Sequence, residues 1–234
     1  MAGSGTPPIV FINGSGGPIA GWYKIFSVLA ESSTVVAYNR LGVGHSSKPT
    51  KPQTADVVVD TLRELLVTLN LAPPYVLVAH SLGGLHANFF ARKYPGEVAG
   101  IVLLDATAPD DVEALAEHKG GVQRVMEKLM NAILGKDIHG ETTHVATAVQ
   151  QINDAGPFPS IPLTVISGGK PAMSWLTPAK ALQIRAENQV ALSKLSPHGK
   201  QIVARKSGHF PQFSEPELVI AAVREMVESI VKSG

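Results

Sequence analysis

The stretch Tyr75 to Gly84, Tyr-Val-Leu-Val-Ala-His-Ser-Leu-Gly-Gly, constrains this chain more tightly than any other. Tyr75 to Ala79 is a short apolar run rich in β-formers, introduced by Pro73-Pro74 and too brief for a helix. Ser81 follows on a turn, and Leu82 to Tyr94 reads as a helix stopped by Pro95-Gly96. Ala79-His80-Ser81-Leu82-Gly83 is a near match to G-x-S-x-G, a strand-turn-helix elbow that lifts a serine hydroxyl clear of a sheet. Small residues two places either side of the serine meet the steric need of that turn, because strand and helix approach closely there. Ala79 replaces the first glycine and is small enough to fit. A plain strand-to-helix corner with a capping serine is the competing reading, and the rest of the chain has to decide.

The flanking elements repeat one pattern. Apolar runs at Pro8–Ile12, Thr34–Tyr38, Tyr75–Ala79, Val98–Leu104, Pro162–Ser167 and Lys200–Ala204 predict about six strands. Helical spacing between them predicts helices over Ile19–Glu31, Thr54–Leu71, Leu82–Tyr94, Pro178–Leu195 and Glu215–Lys232. Strands alternating with helices imply right-handed crossovers and a mostly parallel sheet covered on both faces. The ligand site of such a sheet lies beyond the carboxyl ends of its strands, where the loops after Ile12, Ala79 and Leu104 open. From Thr107 to Pro159 the alternation stops. Helical patterns near Asp110–Lys119, Val122–Leu134 and Glu141–Asn153 predict a helical lid inserted in a single 1–234 domain.

Composition narrows the partners. With 44% hydrophobic and 17% charged residues, 234 residues can bury a sizeable core. A net charge of +1 without a basic run argues against nucleic acid or an anionic membrane surface. The absence of cysteine excludes a disulfide scaffold, a thiolate metal site and a cysteine nucleophile. Met1–Thr6 lacks the charged start and apolar core of a secretory signal, and no apolar run approaches a membrane span, so a cytoplasmic protein is expected. Gly42-Val43-Gly44 lacks the third glycine of a dinucleotide fingerprint, and Gly168-Gly169-Lys170 is followed by Pro171 where a phosphate loop needs Ser or Thr.

A serine becomes a nucleophile only beside a base, and the base needs a third group to fix its tautomer. Of eight histidines, His209 alone lies in a glycine-containing loop, Ser207-Gly208-His209-Phe210-Pro211, directly after a late strand. His45, His86, His118, His139, His144 and His198 read as surface or helix-face residues without metal-ligand spacing, and His80 is expected to point away from the site. Asp105 ends the strand after the elbow, whereas Ser167 to Trp175 contains no carboxylate, so Asp105 is the candidate acid. Asp154 and Asp137 are distant substitutes. The backbone N–H groups of Leu82 and of Ser15, in Asn13-Gly14-Ser15-Gly16-Gly17, are candidate donors for an oxyanion, although a flexible glycine loop without such a role fits the same residues.

With these residues in hand, the chain resembles the α/β-hydrolase fold family over nearly its whole length. Tyr38-Asn39-Arg40-Leu41-Gly42-Val43-Gly44-His45-Ser46 is similar to the family's Y-D-R-x-G-x-G-x-S turn, with Asn39 where Asp is usual, and Ala79–Gly84 resembles its G-H-S-L-G-G elbow. Ser207-Gly208-His209-Phe210 resembles its histidine loop. Asp105 is similar in position to the acid of a subset that carries it one strand earlier than usual. The resemblance implies a minimal sheet lacking the usual first two strands. It also implies hydrolysis of a carboxylic ester through an acyl-enzyme, with Ser81 as nucleophile, His209 as base, Asp105 as its orienting acid and the Ser15 and Leu82 amides as oxyanion hole. Neither metal nor organic cofactor is required. The implied partner is a small-molecule ester with an apolar acyl group, bound by lid residues such as Leu115, Val122, Met126, Leu129, Met130, Ile133, Val145 and Phe158, unless these form only the lid's own core. Thioesterase, lactonase, perhydrolase and hydroxynitrile lyase chemistry, or a ligand receptor on the same fold, would use the same framework.

Overall fold

The computed structural model describes residues 1–112, 142–170 and 179–233. Six strands form one sheet: β1 (Ile9–Ile12), β2 (Val35–Ala37), β3 (Tyr75–His80), β4 (Val98–Leu104), β5 (Leu163–Gly168) and β6 (Gly199–Ala204). Their spatial order is β2-β1-β3-β4-β5-β6, and every pairing is parallel. The chain runs outward from β1 to β2 and then returns to lay β3 on the other side of β1. The carboxyl ends of β1 and β3 therefore flank the point where the winding reverses, which is where such sheets hold ligands. Ahead of β1, Ala2 bridges Val35 of β2 in antiparallel sense.

The helices are α1 (Phe26–Ala30), α2 (Ala55–Thr68), α3 (Gly83–Lys93), α4 (Val145–Asp154), α5 (Ala179–Ser193), α6 (Pro211–Ser214) and α7 (Pro216–Ser233). Strand side chains alternate between two cores, as the period of two requires. Val10, Ile12, Tyr75, Leu77, Ile101, Leu103 and Val165 pack with α2, α3 and α4 on one face. Ile9, Phe11, Val76, Val78, Val102 and Ile166 pack with α7 and the Trp22–Leu29 segment on the other. Both faces of β1 and β3 are thus fully covered, which explains why they read as continuous apolar runs rather than alternating ones. Removing a side chain such as Leu77, 0% exposed, would cost about 2–5 kcal/mol.

Two sequence expectations need amending. The predicted helix over Ile19–Glu31 is a 3₁₀ turn (Ile19–Trp22) followed by the short α1. Trp22 is fixed at the end of the first turn by stacking on Phe11, with ring centroids 4.5 Å apart. Ile19, which the helical spacing would place on the apolar face with Trp22 and Phe26, is 44% exposed. In the insertion, the helix expected over Glu141–Asn153 is matched by α4 from Val145 on, with a turn at 142–144, whereas most of the two preceding helical patterns falls at 113–141, outside the described residues.

Candidate active site

Ser81 follows the last residue of β3 with φ at +51°, a left-handed conformation that a non-glycine residue adopts only when its surroundings impose it. What imposes it is close packing. A Cβ on Gly83 would lie 2.5 Å from the carbonyl oxygen of Ile12 and 2.7 Å from that of Asn13, so α3 starts directly against the end of β1. Gly84 meets Ala106 in the same way, at 2.5 Å. The Ser81 amide donates to Leu104 O at 3.2 Å, and its carbonyl accepts from Thr107 N at 3.0 Å, tying the turn to the end of β4.

His209 comes from the loop after β6. Its Nε2 is 3.0 Å from Ser81 Oγ and its Nδ1 is 2.6 Å from Asp105 Oδ2. A neutral imidazole that donates from Nδ1 to a carboxylate leaves Nε2 as acceptor for the serine hydroxyl. The loop is held from below by His80, whose Nε2–H donates to the carbonyl oxygen of His209 at 2.8 Å. Burial first, and the adjacent His209 second, push the His80 pKa down to about 3. It therefore stays neutral in ordinary buffers and serves as a donor.

Asp105, at the end of β4, also has positive φ, +39°. Its Oδ1 accepts from Gly168 N at 3.0 Å, and its Oδ2 accepts from His209 and from Arg185 Nη2 at 2.8 Å. Burial alone would raise the carboxyl pKa; the His209 hydrogen bond and the Arg185 charge outweigh it and hold the group well below the usual carboxylate range. At Gly168, the last residue of β5, a carboxylate side chain has no room. A Cβ on Gly168 would lie 2.2 Å from Gly208 O, so the strand end supplies an amide donor where a side chain cannot fit.

The Asn13–Gly17 loop lies beside the serine: a Cβ on Gly14 would sit 3.1 Å from Ser81 Cβ. Ser15 and Leu82 are both buried, and among the described residues neither amide donates to a main-chain carbonyl. Buried Arg40 fixes the loop by donating from Nη1 to Asn13 O and from Nη2 to Gly14 O, each at 2.6 Å. Asn39 completes the support. Its Oδ1 accepts from Ile19 N at 2.7 Å and its main-chain carbonyl from Ser46 Oγ at 3.0 Å, contacts that an Asp in this position could make as well.

A family model described as alpha/beta hydrolase fold matches residues 7–146. The chain belongs to the alpha/beta hydrolase fold family. It is 31% identical over 109 residues to the uncharacterized protein YbdG of Bacillus subtilis, covering 46% of this chain and 34% of YbdG. It is 32% identical over 101 residues to the (lyso)-N-acylphosphatidylethanolamine lipase of Bos taurus, covering 42% of this chain and 30% of the lipase. The chain thus spans about a third of the length of these curated relatives. Among solved structures, a thermophilic esterase from Thermogutta terrifontis superposes with a TM-score of 0.70 at 25% identity, covering 98% of this chain and 92% of the esterase.

In this member of the family none of the remaining candidates among the described residues has a hydrogen bond to Ser81, His209 or Asp105. His45 and His198 are exposed, His144 is half-buried, and His118 and His139 fall outside the described residues. His86 lies on a face of helix α3, and that face is buried. Asp154 is exposed at the end of α4, and Asp137 lies outside the described residues. Val145 and Phe158 pack on the core shared with α2 and α3, whereas the other expected lid residues are not described. Among the described residues no cluster of His, Cys, Asp and Glu could hold a metal ion, and no helix is long and apolar enough to cross a membrane. Sequence reasoning missed Arg40, the His80 contact and Arg185. Each acts through a hydrogen bond to a residue far away in the chain; Arg40 and His80 stood in stretches with a motif, Arg185 in none, and His80, expected to point away from the site, instead packs its ring 4.8 Å from that of His209.

Proposed function

We propose that this hydrolase cleaves carboxylic esters through a covalent acyl-enzyme formed on Ser81. The observation that carries the reading is the unbroken line from Ser81 Oγ through the His209 ring to Asp105 Oδ2, with steps of 3.0 and 2.6 Å. Ser81 Oγ attacks the ester carbonyl while His209 Nε2 takes its proton, and Asp105 stabilises the imidazolium that results. The oxyanion of the tetrahedral intermediate is received by the Ser15 and Leu82 amides; losing one such donor typically costs about 3 kcal/mol. His209 then protonates the leaving alcohol. Water, deprotonated by His209, attacks the acyl carbonyl and releases Ser81. No metal or organic cofactor enters this scheme.

The substrate is a small-molecule ester with an apolar group. Phe210, beside His209 at a ring separation of 5.0 Å, stacks on Phe213, which in turn faces exposed Tyr23 at 5.9 Å. The segment 107–159 is proposed as a lid on a single domain, supported by its start beside the site, where the Thr107 amide donates to Ser81 O at 3.0 Å. The esterase from Thermogutta terrifontis and the bovine lipase support ester chemistry by analogy. The test is intact mass after treatment with a fluorophosphonate, on wild type and Ser81→Ala, followed by a panel of esters of increasing acyl length. One adduct mapped to Ser81 and absent from the variant, with ester turnover abolished alongside it, is expected. Folded wild type without an adduct, or with one elsewhere, would overturn the reading.

A further inference from the structure

The candidate acid carries a cationic partner besides the histidine: the guanidinium of Arg185. Arg185 of α5 donates from Nη2 to Asp105 Oδ2 at 2.8 Å, the same oxygen that faces His209 Nδ1, and to the Asp105 carbonyl at 3.0 Å. Its Nη1 is 3.4 Å from Asp111 Oδ2. Asp111 is held in turn by the Ala108 amide at 2.8 Å and by Asn188 Nδ2 at 2.7 Å, and Gln189 Nε2 donates to Ala106 O at 2.7 Å. Arg185, Asn188 and Gln189 are three and four residues apart, so one face of α5 grips the whole turn from Asp105 to Asp111.

We propose that Arg185 is a positioning residue of this active site, one that fixes the Asp105 carboxylate for His209 and sets the pH at which the Ser81–His209 pair starts to work. The inference rests on the serine-hydrolase reading above. Two consequences follow from the same contact. The guanidinium anchors the carboxylate so that Oδ2 faces His209, and its charge keeps a buried acid ionised. It also cancels part of the negative charge that would otherwise stabilise the imidazolium. Among the described residues, the ionisable groups facing Asp105 and His209 are Arg185 from α5, Asp111 from the segment after β4 and neutral His80 from β3. Arg185 is thus the permanent cation of the group. Without it, the full carboxylate charge would act on the imidazole and hold its proton to higher pH.

The test uses Arg185→Met, Arg185→Lys and Asp111→Asn, each checked for folding by thermal melting. Two quantities are followed against pH: the rate of fluorophosphonate labelling of Ser81, and kcat and KM for an ester that the wild type turns over. In Arg185→Met the acid limb of both profiles is expected to move up by about one pH unit, with kcat falling about 10-fold and KM little changed. Arg185→Lys keeps the charge without the fork, so it retains the wild-type limb and loses less kcat. Asp111→Asn moves the limb in the opposite direction and supplies the pH readout if Arg185→Met does not fold. Coincident acid limbs in every folded variant would overturn the inference and leave Arg185 a structural strut. Folded wild type that does not label at Ser81 would instead overturn the hydrolase reading beneath it.

Discussion

His80 Nε2–H donates to the carbonyl oxygen of His209 at 2.8 Å, so the residue just before the candidate nucleophile grips the backbone of the candidate base. The strand that presents Ser81 and the loop that presents His209 are thereby locked together, and the 3.0 Å Ser81–His209 distance depends on that lock. His80→Phe keeps a ring in the space and removes the donor. It is expected to lower kcat by about 10- to 100-fold with little change in KM, because a displaced base costs rate more than binding. Steady-state kinetics on the folded variant checks this.

The same histidine makes stability depend on pH. Its folded pKa is pushed down to about 3, below the value near 6.5 of an unfolded chain, chiefly by burial. The unfolded state therefore binds the extra proton first, and stability is full above pH 6.5 and falls as the pH drops toward 3. The slope is about 1.4 kcal/mol per pH unit, or roughly 2 kcal/mol lost between pH 6.5 and 5. His80→Gln keeps a donor that does not titrate, so its urea midpoint is expected to change less between pH 7 and pH 5 than the wild type's. Parallel losses in both proteins would show that other groups govern the acid limb.

Asp105→Asn tests the acid directly. The variant can no longer hold His209 with Nδ1–H inward, and kcat is expected to fall by about 10³- to 10⁴-fold. Adding Gly168→Asp to that variant, which returns a carboxylate to the end of β5, is expected to recover nothing. The new Cβ would meet Gly208 O at 2.2 Å and push away the loop that carries His209. Ester turnover of the double variant, measured beside a melting curve, distinguishes a misplaced acid from an unfolded chain. Recovered turnover would mean that the strand end can accept a side chain after all.

These relationships also show which parts of the molecule can be read from a string of residues. Ser81, Asp105 and His209 each sit where an apolar run gives way to a turn, and that local break marks the working edge of a parallel sheet. The six strands follow from the same breaks. The Ile19–Glu31 segment misled because Trp22, Ile25 and Leu29 are buried at a spacing that fits one continuous helix as well as a 3₁₀ turn followed by a short one. The supports were harder still. Arg185 reaches Asp105 across 80 positions and His80 reaches His209 across 129. No local pattern announces a partner at that distance, since the contact exists only once the sheet has assembled.

Arg40 provides the last prediction, on the oxyanion loop. Its two terminal nitrogens donate to the Asn13 and Gly14 carbonyls at 2.6 Å each, and the side chain is buried in doing so. With these two carbonyls held toward Arg40, the next amide, that of Ser15, stays clear of main-chain acceptors among the described residues. Arg40→Met keeps the length and loses both bonds. Charge-assisted bonds of this kind contribute about 1.5–3 kcal/mol each, so a clear loss of stability is expected along with the change in rate. The kinetic signature separates the two effects. A relaxed loop weakens oxyanion binding, which exists only in the transition state, so kcat and kcat/KM should fall together by about 10- to 100-fold while KM holds. Arg40→Lys can satisfy only one carbonyl well and is expected to lie between the two. A rise in KM at unchanged kcat would instead place the Asn13–Gly17 loop in substrate binding and remove Ser15 from the oxyanion hole.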